Sequence, residues 1–228
     1  MTQPDTFKPR AALRTPRAAA IAGILFALIY GSGLVLIRLS IPADRVFDTA
    51  WLDGNAHTVA LGLNLVPYAG IAFLWFIGVI RDRLGELEDR FLATVFLGSG
   101  LLFLAMTFAG AALTGGILTA YELESRTLID SGVFTYARAS TYNVLNVYAI
   151  RMAGVFMMSL ATIWMRTRAA HRFWPLLTYA LALVLLVTIS FSVWVALIFP
   201  VWVFAVSLYL LFRGRQDQPE AAVKPDAA

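Results

Sequence analysis

The residue with the most chemical consequence in this chain is Arg151, because it stands about nine residues inside an apolar run spanning 142–165. At 1.5 Å per residue that places it roughly 9–14 Å below the surface of a membrane. A guanidinium stays protonated, and a charge near the centre of a spanning helix costs about 2.5–3.5 kcal/mol on insertion scales. Arg151 therefore needs polar company. At 100° per residue, Tyr148, Arg151, Ser159 and Thr162 fall within an arc of about 80°, so the polar stripe is expected to face other helices. Asn143 and Asn146 on the same run, and Asn64 and Tyr68 on the run 58–80, lie at comparable depth. These residues, Arg151, Tyr148, Asn64, Tyr68, Asn143 and Asn146, form the candidate polar pocket. Open to the exterior, it could hold a carboxylate or a lipid phosphate on Arg151. The simpler alternative is an arginine that pins helices through backbone carbonyls, or through Glu122, Glu124 or Asp53 at the rim.

Other chemistry finds little footing. There is no cysteine, which excludes disulfides, thiolate nucleophiles, iron–sulfur clusters and cysteine-bound zinc. The two histidines, His57 and His171, fall on opposite sides of the expected membrane, so they cannot share a metal or a haem. No aspartate or glutamate lies inside an expected span, which removes a buried carboxylate pair or proton relay. The serines lack an embedded base. Acidic residues of the exterior loops could hold calcium but read more simply as solvated. Neither enzyme activity nor a cofactor nor a resident metal is expected.

The elements that must position these residues are membrane helices. Of 228 residues, 60% are hydrophobic and 14% charged, with a mean hydropathy of +0.74. Soluble domains carry about 25% charged residues, and one core of this size could not hide so much apolar surface from water. The predicted fold is all-α, a bundle of about six transmembrane helices at 18–39, 58–80, 91–118, 142–165, 173–190 and 193–212. The apolar run 173–212 holds 40 residues. That suits two spans of about 20 residues better than one. A turn is expected near Ser190, Phe191 and Ser192, and Pro200 is expected to kink the last helix. Residues 1–17 read as a disordered cytosolic leader, too polar and followed by too long an apolar run to be a cleaved signal. Residues 213–228 read as a disordered cytosolic tail.

Basic residues orient the bundle. Lys8, Arg10, Arg14, Arg17, Arg81, Arg83, Arg90, Arg166, Arg168, Arg172, Arg213, Arg215 and Lys224 fall on one side. Arg38, Arg45, Arg126 and Arg138 fall on the other. Thirteen against four puts both termini in the cytoplasm. The net charge of +4 with a pI near 9.6 is thereby absorbed by topology and anionic lipid, not by nucleic acid. The two exterior linkers, 40–57 and 119–141, are long; Trp51 in the first is expected to anchor at the interface, and the second to carry a short surface helix. Sixteen of the eighteen basic residues are arginine, a bias of GC-rich bacterial genomes that points to a plasma membrane.

Small residues recur at Gly31–Gly33, at Gly98–Gly100 and along Gly110, Ala111, Ala112, Thr114, Gly115 and Gly116. They permit close helix approach within the chain, or a homo-oligomer. Pro67, between Asn64 and Gly70, is expected to kink the second span. The linker from Gly78 through Asp82 and Arg83 to Gly85 resembles the G-x-x-x-D-R-x-G signature between helices two and three of major facilitator transporters. The resemblance implies an aspartate capping a helix end and an arginine pairing across a cytosolic gate. It covers eight residues and departs at Glu86, Leu87 and Glu88, where that family carries basic residues; six spans are also half of that fold. The sequence thus leads to a multi-pass, non-enzymatic membrane protein: an accessory, scaffold or lipid-interacting subunit meeting the bilayer and a protein partner. The alternative is a small oligomeric transporter with an outward-facing anion site at Arg151.

Overall fold

The computed structural model describes residues 15–41, 50–84, 90–130, 132–167, 171–187 and 193–216. Hydrocarbon offers no partner for a free amide or carbonyl, so a spanning chain must satisfy its backbone within each segment. Accordingly the described residues are almost wholly helical: α1 Thr15–Ser40, α2 Ala50–Leu84, α3 Arg90–Asp130, α4 Val133–Asn143, a π-helical segment Val144–Ala149, α5 Ile150–Thr167, α6 Phe173–Val187, a 3-10 turn Val193–Leu197 and α7 Ile198–Gln216. Five helices are long and apolar enough to cross a membrane, α4 to α5 counting as one, and α6 is a shorter apolar helix. The chain is an all-α membrane helix bundle. The end carrying Ser40, Ala50, Asp130 and Val133 is called distal below, and the end carrying Thr15, Leu84 and Arg90 basal.

The helices form a ring in the order α6, α5, α3, α2, α1, α7, and α7 only grazes α6. The tightest pair is α1 and α2, and glycine explains it. A Cβ on Gly33 would stand 3.2 Å from the Gly62 carbonyl oxygen, and one on Gly62 would stand 3.1 Å from that of Gly33. Only two bare backbones fit there. Gly23 likewise gives way to Ser207 of α7. Gly31, Gly98 and Gly116 meet nothing, so the small residues divide between intramolecular contacts and open faces.

Mid-height, five helices send phenylalanines inward. Phe26 meets Phe73 at 4.7 Å between ring centroids, Phe73 meets Phe103 and Phe156 at 5.4 Å each, and Phe103 meets Phe199 at 4.7 Å. Phe96 stacks on Phe156 at 4.5 Å, and Trp202 flanks Phe199 at 6.0 Å. Tilted and edge-on arrangements like these match ring quadrupoles. In lipid there is no hydrophobic drive between helices, so dispersion and shape must hold them.

Several elements differ from the sequence reading. Helix α2 begins at Ala50, so half of the expected linker 40–57 is helical. The linker 119–141 is mostly helix as well. Helix α3 runs to Asp130 with one break at Glu124 (φ −150°, ψ 77°), and α4 starts after Gly132, whose φ of 72° only glycine adopts freely. These extensions are apolar on one side and build a second core from Ile41, Trp51, Leu52, Val59, Ile117, Leu118, Leu128 and Phe134. Trp51 is therefore no interfacial anchor: it is 3% exposed, beneath the guanidinium of Arg138 at 5.6 Å from its ring. Pro200 sits in the first turn of α7, where an N–H has little to lose, directly after the 3-10 turn. The expected turn at Ser190–Ser192 lies outside the described residues. So do the leader up to residue 14, the tail from residue 217, and residues 85–89 of the transporter-like linker.

Candidate functional site

The polar residues singled out by depth are not brought together. Arg151 is half-buried, and among the described residues no side chain is shown bonded to it. Tyr148 is 57% exposed, Tyr68 is 64% exposed, and Asn143 is exposed. Ser159 and Thr162 are occupied locally, donating to the Val155 and Met158 carbonyls at 2.9 and 2.8 Å. Thr162 also meets the Tyr179 hydroxyl of α6 at 2.7 Å. The physical reason is the π-helical segment. Its i+5 turns hold one residue more than α-turns, so a wheel drawn at 100° per residue loses phase between Asn143 and Ile150.

That same segment builds a different site. It turns Asn146 toward α1, where Asn146 Oδ1 accepts a hydrogen bond from Arg38 Nη2 at 2.8 Å. Asn146 Nδ2 donates to the Tyr142 carbonyl at 3.1 Å, which fixes the amide with its oxygen toward the arginine. The sequence places Arg38 at the exterior end of the first span, among the charges of the exterior side. In the fold it stands in the last turn of α1 and points into the bundle. Below it is a cavity of about 30 Å³, walled by Leu34, Phe103, Leu145, Ala149 and Phe199 among others, with Tyr30 at its side. The aromatic core closes the cavity toward the basal end.

A second, larger space opens between α2 and α3, which pack loosely against each other. This groove measures about 730 Å³. Its lining is largely apolar, with Ala60, Leu63, Pro67, Phe108, Ala111 and Gly115 among the residues that form it. Pro67 supplies no N–H to the carbonyl one turn back, and Asn64 adds a polar group at mid-length. Asp53, His57 and Glu122 stand at the distal mouth, where Tyr121 donates to Asp53. Because α2 and α3 extend beyond the expected spans, these carboxylates stand on the spanning helices. The two histidines lie at opposite ends of the bundle, and among the described residues no cluster of three metal-ligating side chains occurs.

Sequence reasoning missed Arg38, and the signal was faint: a cation two residues inside the end of an apolar run. The sequence singled out Asn64, Pro67, Ala111, Ala112 and Gly115 separately, but nothing in it joined them into one groove. Comparison of the chain with protein-family models, with curated proteins and with solved structures finds no match.

Proposed function

We propose that this protein is a non-enzymatic, lipid-interacting subunit of a bacterial plasma membrane, with both termini in the cytoplasm. The observation that supports it best is the α2–α3 groove, an apolar trough open to the side with ionisable groups at one end only. That division matches an amphiphile lying parallel to the helices. Its tail would cover Ala111, Gly115 and Phe108, and its head would meet Asp53, His57 and Glu122. Two carboxylates at the mouth favour a head group that carries an amine. The charge bias of the linkers supports the orientation, and the open faces at Gly31 and Gly98 suit contact with a protein partner or a second copy.

The alternative, a small oligomeric transporter with its anion site at Arg151, draws less support. Arg151 lines neither cavity, and the phenylalanine cluster fills the middle of the bundle.

Native mass spectrometry of the protein extracted in mild detergent tests the groove. The wild type should retain about one amphiphile per chain. Gly115→Trp should lose it, since a Cβ at Gly115 meets nothing and the larger side chain fills the trough without disturbing the helices. Gly116→Trp, equally unhindered but outside the groove, should keep it. A wild type that carries no amphiphile, or equal retention by the Gly115 variant, refutes the reading.

A further inference from the structure

Arg38 is a cation aimed inward at a place where the described residues supply it with little compensation. A guanidinium carries five N–H donors, and the one side-chain acceptor shown for it is the neutral Asn146 Oδ1 at 2.8 Å. Among the described residues no carboxylate is shown in ion-pair contact with it. Tyr30 and Tyr142 stand near enough to favour its charge, and Arg138, a like charge, near enough to oppose it. An embedded cation facing apolar walls, with no carboxylate partner among the described residues, is costly. The cavity beside it, about 30 Å³, has room for two waters or one small anionic group.

We propose that Arg38 and Asn146 form the recognition end of a carboxylate-binding site, with the cavity receiving the first carbons of an apolar stem. The planar fork of the guanidinium fits both oxygens of a carboxylate. Asn146, held by its bond to the Tyr142 carbonyl, keeps the fork oriented when no ligand is present. Leu34, Leu145 and Phe199 offer the stem apolar contact, and the aromatic core limits its depth. The π-helical segment is the device that makes the site, because an α-helical 144–149 would turn Asn146 to another bearing. This site shares no lining residue with the α2–α3 groove, so either proposal can fail alone.

The carboxylate is that of a short-chain acid, because the cavity takes only the first carbons of a stem. Thermal unfolding of the purified full chain in detergent, with propionate, propionamide or dodecanoate added, tests this. Propionate should stabilise the wild type; propionamide, which lacks the charge, and dodecanoate, whose stem exceeds the cavity, should not. Arg38→Met should abolish the stabilisation, and Arg38→Lys, which keeps the charge but loses the fork, should weaken binding at least tenfold. The proposal is overturned if propionate does not stabilise the wild type, if propionamide or dodecanoate stabilises it equally, or if Arg38→Lys binds as the wild type does. The acid–amide comparison uses unaltered protein and stands even where the methionine variant does not fold.

Discussion

Phe73 is the side chain on which the bundle turns. It is fully buried and its ring lies between 4.7 and 6.3 Å from those of Phe26, Phe76, Phe103, Phe156 and Phe199. In a soluble protein Phe→Ala costs about 3–5 kcal/mol, a sum of lost transfer energy and the void left behind. Here the transfer part should vanish, since an unpacked Phe73 would still sit in hydrocarbon. What remains is the void: at ~24 cal/mol per Å³, a ring-sized hole of about 100 Å³ costs about 2.4 kcal/mol. Phe73→Ala is therefore expected to destabilise by about 2–3 kcal/mol, and Phe73→Leu by roughly half of that. Unfolding in mixed micelles, followed as the denaturing detergent fraction rises, measures it. Trp75, 70% exposed on the same helix, is the control and should tolerate alanine with little change. If Phe73→Ala cost no more than Trp75→Ala, packing of the aromatic cluster would not be what holds the helices together.

Two further substitutions probe the contacts that set the ring. Gly33→Ala should cost about 1–3 kcal/mol, because its methyl must displace the Gly62 backbone, whereas Gly31→Ala should be neutral or slightly stabilising; the same micelle assay compares them. Trp202→Phe removes the buried bond from the indole Nε1 to Thr178 Oγ1, 3.0 Å long. It should lose about 0.6 kcal/mol and no more than about 1.7 kcal/mol, the mean and the maximum found for hydrogen bonds between membrane helices, and Thr178→Val in the same background should add little further loss.

Class and approximate helix number are legible in the sequence because they depend on composition and run length alone. Apolar runs of about 20 residues must be helical in lipid whatever their neighbours do. Direction around each helix is another matter. Helices such as α6 and α7 are apolar on every side, so no stripe says which face is inward, and the convergence of Phe26, Phe73, Phe103, Phe156 and Phe199 has no periodic signature. The distal extensions escaped for a different reason. Asp53, Gly54 and Asn55 read as linker residues, yet Trp51, Leu52, Val59 and Phe134 pay for helical order there by burying one another. Depth singled out Arg151, but bearing decides which cation enters the bundle. A single π-helical segment resets that bearing for Asn146 and with it for Arg38.

The ring is closed by its weakest junction. Helix α7 rests mainly on α1 and scarcely on α6, its predecessor in the chain. The first and last of these spans are thus the two halves of a clasp. Until α7 docks, Phe26 and Phe73 lack Phe199, and the aromatic interior stays open to lipid. Docking of α7 and closure of the bundle become a single event.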